Sequence, residues 1–77
     1  MSKPYLNNSE RGHVALTALA CHSRYVRNHD EPLQDQAADL VANLMHLSRM
    51  AGYEFDLPAA IISGTAHYMN EVLDDGR

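Results

Sequence analysis

Five histidines in a chain of 77 residues make metal ligation the first chemistry to weigh. Asp39, Asn43 and His46 fall four and three residues apart, so a helix would carry them on one face, with His67 on a separate segment. A catalytic zinc or iron site needs three or more convergent N, O or S ligands, usually with a tight pair such as two His four apart. No such pair occurs, and Cys21 and His22, as neighbours, point apart on a helix. No metal is expected; His46 and His67 are expected to be half-buried helix residues bonded to backbone or to Asp39.

Covalent and acid–base chemistry find no better footing. His29-Asp30 has the letters of a metal-phosphohydrolase dyad but lacks the further His and Asp ligands on separate helices that this chemistry requires. Ser9, Ser23, Ser48 and Ser63 sit in no glycine-flanked elbow, and there is no Gly-rich phosphate loop. Cys21 and His22 diverge by about 100° on a helix, too far for a nucleophile and its base. Three short helices also leave little room for a dry pocket. The chain is expected to be no enzyme and to hold no cofactor.

The elements that would position any site are helical. From Asp35 to Gly52, with a lead-in at Glu31-Pro32-Leu33, the residues Leu33, Ala37, Leu40, Leu44, Leu47 and Ala51 recur at spacings of four and three, one stripe of an α-helix. Pro32 suits its first turn, and Gly52 a left-handed position just past its end. A first helix is predicted from about Ser9, capped by Asn8 or Ser9, to about Arg27, with Ala15, Ala18, Leu19, His22, Tyr25 and Val26 as its stripe. A third runs from about Leu57, with Asp56 as N-cap, to about Leu73, on the stripe Leu57, Ile61, Thr65, Tyr68 and Val72. Gly64 in its interior is read as a close helix crossing. Glu71, Asp74 and Asp75 carry the wrong sign for the end of a helix dipole, so the last turn is expected to fray.

Composition bounds the rest. Below about 80 residues a lone core seldom contributes more than ~3–5 kcal/mol, and much of the 45% apolar content here is Ala, with one Phe and no Trp. Pairing into a homodimer would add burial, through the helix carrying Leu40, Leu44 and Leu47 or through Met45 and Ile62. The single Cys21 excludes an internal disulfide and suits a reducing compartment. No apolar run reaches the ~20 residues of a membrane span. The net charge of −4 is unevenly spread. Residues 1–29 hold four cations against one carboxylate, and residues 30–77 hold two against nine.

That asymmetry separates two binding hypotheses. A DNA-binding regulator would need the first helix with Arg11, Arg24 and Arg27, because residues 51–76 contain no Lys or Arg to approach a polyanion. A protein-binding module would use the Arg24/Arg27 end, or the acidic later half with Met45, Ile62, Met69, Glu71 and Asp74. Methionine there is adaptable and polarizable, and Met45, Ile62 and Met69 fall off the main stripes.

The run Asp39-Leu40-Val41-Ala42-Asn43-Leu44-Met45-His46-Leu47, then Gly52-Tyr53-Glu54-Phe55-Asp56, then His67-Tyr68 with Glu71, resembles a loose group of small, mostly uncharacterised helical proteins encoded by phages and plasmids. The resemblance covers about the last half of the chain and rests largely on core and cap residues; it carries over no catalytic residue. It implies a mobile-element accessory protein working in a bacterial cytoplasm, where small acidic proteins often bind and block a host enzyme or defence component. The expectation is therefore an all-α three-helix bundle over residues 9–73, with an irregular arm (1–8) and an acidic tail (74–77), that binds a host protein without catalysis.

Overall fold

The computed structural model describes residues 6–75. It contains three helices, α1 (Asn8–Val26), α2 (Leu33–Leu47) and α3 (Leu57–Asp75), and α1 touches both others. The fold is a small, open, all-α one.

α1 and α3 start where a side chain can take an unpaired backbone N–H. Asn7, one residue before the expected cap, accepts from the Glu10 N–H at 2.8 Å, and the Glu10 carboxylate accepts from the Asn7 N–H at 2.9 Å. This reciprocal box satisfies two orphan donors where Asn8 or Ser9 alone would satisfy one. The helix therefore takes in Asn8, which the sequence reading left to the arm. Asp56 caps α3 as predicted, accepting from the Ala59 N–H at 3.0 Å. Pro32 stands at the N-cap position of α2 rather than within its first turn and makes no side-chain cap.

The far ends depart further from expectation. α1 closes on Arg27, which takes the left-handed conformation (φ 64°) and sends its N–H to the Ser23 carbonyl. α2 stops at Leu47, five residues short of Gly52. The chain then turns on Arg49 N–H to His46 O and Met50 N–H to Leu47 O, so Ala51 belongs to no helical stripe. Gly52 does have a positive φ of 88°, but in that turn. α3 keeps helical geometry to Asp75 despite the acidic end.

Packing is sparse. Among the described residues Leu57 is the one large apolar residue that is buried, at 6% exposure, with Leu19, Leu40 and Leu44 half-buried. His22 is half-buried as well, but most of the other expected core positions face outward, among them Leu33, Ile61, Tyr68 and, at 85% exposure, Tyr25. Gly64 marks no close crossing, since a Cβ built there meets nothing within 4 Å.

What joins α1 to α2 is polar. Ser23 is completely buried and donates its hydroxyl to Gln36 Oε1 at 2.7 Å; Gln36 Nε2 donates in turn to the Glu31 carbonyl at 2.7 Å. Asn28, also buried, donates to Asp39 Oδ2 at 2.7 Å, and Asn43 meets His22 Nε2 at 2.9 Å. Gln36 and Asn43, seven residues apart on α2, thus reach the adjacent residues Ser23 and His22 of α1. α3 is tied to the other end of α1: Asn8 donates to the Glu71 carbonyl at 3.0 Å, and Arg11 lies 3.7 Å from the Glu71 carboxylate.

Candidate functional site

Some of the groups that first suggested chemistry hold helices together, and the others stand exposed and apart. Asp39 and Asn43 are the α2 ends of the Asn28 and His22 hydrogen bonds, so they serve the α1–α2 junction, and His46, exposed, is on the last turn of the same helix. His67 is exposed on α3. His29 and Asp30 pair with each other at 3.6 Å on an exposed turn. Among the described residues no three His, Cys, Asp or Glu side chains converge on a point that could hold a metal ion. Two buried polar atoms of this junction, His22 Nδ1 and Asn28 Oδ1, have no hydrogen-bond partner.

Two surfaces stand out among the described residues as able to receive a partner. One is a shallow, open groove beside α1, lined among the described residues by Leu16, Thr17, Ala20, Cys21, Arg24 and Tyr25. The spacing of one and four residues lays these side chains along one strip of the helix. Cys21 is an exposed free thiol there. Arg24 lies in the last helical turn, favoured by the negative end of the dipole, and Arg27 follows at the left-handed closing position. A non-glycine residue at such a position costs about 1–2 kcal/mol, and outliers of this kind are retained where surrounding structure or function demands the side chain.

The other surface is on α3. At 100° per residue, Tyr68, Ile61, Val72, Thr65, Met69, Ile62 and Leu73 fill an arc of about 140° that contains no charged residue. All of them are exposed, Ile62 at 71%. Thr65 does not interrupt the arc's apolar character, because its hydroxyl is spent on the Ile61 carbonyl at 2.8 Å.

The seven residues singled out from sequence therefore do not form one site. Arg24 and Arg27 belong to the end of α1, and Ile62 and Met69 to the α3 arc. Met45 is exposed on α2, and Asp74 near the end of α3. Glu71 is turned onto α1, with its carboxylate beside Arg11. That same contact occupies Arg11 with Glu71 and with Asn8 Oδ1 at 2.7 Å. Sequence reasoning missed the α1 strip because it assigned Tyr25 to the core, although the 4–1 spacing of Leu16, Thr17, Ala20, Cys21, Arg24 and Tyr25 was there to be read.

These features define a small all-α chain that offers surfaces rather than a cavity. Set against protein families, curated proteins and solved structures, the chain matches none. No helix among the described residues is long and apolar enough to cross a membrane.

Proposed function

We propose that this chain is a non-enzymatic protein-binding accessory protein of a phage or other mobile element, acting on a host protein such as a defence component. The observation that carries the reading is area. A compact monomer of 8.6 kDa exposes about 4700 Å², whereas this chain exposes 6470 Å². Even if the seven residues outside the described span are each charged a full extended-chain area, about 650 Å² of excess is left. Stable specific interfaces remove about 800 Å² from each partner, so the surplus is of the size a protein partner covers. Large exposed apolar patches on a small chain commonly mark sites of interaction.

The target-facing part is the α1 groove with Arg24 and Tyr25, continued by Arg27. Tyrosine and arginine are the side chains that dominate binding energy at protein contacts, and both are displayed here beside the apolar Leu16 and Ala20. Arg24 and Arg27 favour a partner that sets an acidic patch against that anchor. The mobile-element setting comes from the resemblance carried by the Asp39 to Leu47, Gly52 to Asp56 and His67 to Glu71 segments.

The test is affinity capture from bacterial lysate on the tagged full chain, with and without nuclease and over a salt series. One protein retained in stoichiometric amount after nuclease, and lost with an Arg24→Glu, Tyr25→Ala variant, supports the reading. Recovery of nucleic acid that falls steeply with salt contradicts it and favours a DNA-binding regulator working through the same helix.

A further inference from the structure

We infer that the apolar face of α3 is the seat of an antiparallel homodimer, in which α3 of one copy packs along α3 of a second. The inference shares with the proposed function the premise that protein covers the uncovered apolar area, but it concerns a different surface and a different occupant.

The area suits a second copy. At roughly 200 Å² for a fully exposed large residue, the fractional exposures of Ile61, Ile62, Tyr68, Met69, Val72 and Leu73 leave about 700 Å² of surface on this face. Two such faces give about 1400 Å², within the ~1200–2000 Å² of specific, stable interfaces. The face is also self-complementary: a two-fold axis beside Thr65 and Ala66 places Ile62 of one copy opposite Met69 of the other. The required contact is isologous, as closed dimers are. Neither Gly64 nor Thr65 obstructs approach, since Gly64 has open space around it and the Thr65 hydroxyl is bonded within the helix.

The helix dipole selects the direction. A parallel pair would set the two negative ends of α3 together, whereas an antiparallel pair lays each negative end beside the other copy's positive end. Glu71 and Asp74 take no part, because both lie on α3 outside the apolar arc and Glu71 is beside Arg11. The α2 route to a dimer is less suited, because Leu40 and Leu44 are half-buried within the chain.

The experiment is sedimentation of the full chain from micromolar to millimolar concentration, combined with disulfide trapping in a Cys21→Ser background. The expected mass is twice 8.6 kDa, and Ile62→Glu with Met69→Glu should weaken association by about 100-fold or more, because it buries carboxylates in an apolar seam. Mixed Ile62→Cys and Met69→Cys chains should cross-link to each other, and Ile62→Cys alone should not. A monomer throughout the range, or a dimer indifferent to the glutamates, overturns the inference. Cross-linking of Ile62→Cys to itself without the mixed product overturns the antiparallel direction. Should the glutamate variant lose its helices, the single-cysteine traps decide. Host capture through Arg24 and Tyr25 is read separately, so each idea can fail without the other.

Discussion

Ser23 on α1 donates its hydroxyl to the side-chain carbonyl of Gln36 on α2 at 2.7 Å, and Ser23 is the most completely buried side chain in the described chain. The helix junction is thus specified by a hydrogen bond where small domains usually rely on leucine. Gln36 is fully used: its amide nitrogen donates to the Glu31 carbonyl at 2.7 Å and reaches the His29 carbonyl at 3.4 Å, which fixes the turn between the helices.

Removing the hydroxyl should therefore cost more than its size suggests. Ser23→Ala leaves the Gln36 carbonyl oxygen buried and without its partner, a loss of about 1–3 kcal/mol. Urea unfolding followed by circular dichroism should show a lower midpoint. Asn28→Ala, which removes the bond to Asp39, should act in the same direction.

Gly64 offers the opposite effect. Because a Cβ there meets nothing within 4 Å and the residue is inside α3, Gly64→Ala should stabilise the chain by up to about 1 kcal/mol through helix propensity. A raised melting temperature checks this, and a fall would mean that Gly64 lies at a contact the monomer does not contain.

The N-terminal box gives a third outcome. Asn7→Ala removes the acceptor for the Glu10 N–H and should cost about 1 kcal/mol. Faster hydrogen exchange confined to the first turn of α1 is the expected signature.

Arg27 should separate stability from binding. Glycine adopts its left-handed conformation without strain, so Arg27→Gly should raise stability by about 1 kcal/mol while weakening capture of the protein partner. A variant that is more stable and binds equally well would remove Arg27 from the contact.

The helices were legible in the sequence because their signals are local. Apolar residues three and four apart announced all three, and Asp56 announced the start of α3. Three boundaries were missed for local reasons as well: the Asn7–Glu10 box competed with Asn8 and Ser9, the α2 stripe continued to Ala51 although the backbone turns after Leu47, and α3 keeps its last turn to Asp75 despite the acidic residues expected to fray it. The inward faces were less legible. Periodicity says that Ile61, Tyr68 and Val72 share a face, but it does not say whether that face meets the same chain or another one. Ser23 and Gln36 carry no hydropathy signal at all, so a junction built on their hydrogen bond is invisible to an apolar pattern. The seven candidate contact residues scattered for a related cause: residues left off the stripes need not adjoin one another, and Glu71 found Arg11 within its own chain.

The central claim, that this chain acts by covering apolar surface against a protein partner, is tested most directly by calorimetry of the purified chain with its captured partner across temperature. The account expects a clearly negative heat-capacity change, the mark of apolar burial, with only modest weakening as salt rises, and loss of binding with Arg24→Glu and Tyr25→Ala together. A heat-capacity change near zero, with affinity that collapses as salt rises and binding indifferent to Tyr25, would contradict it.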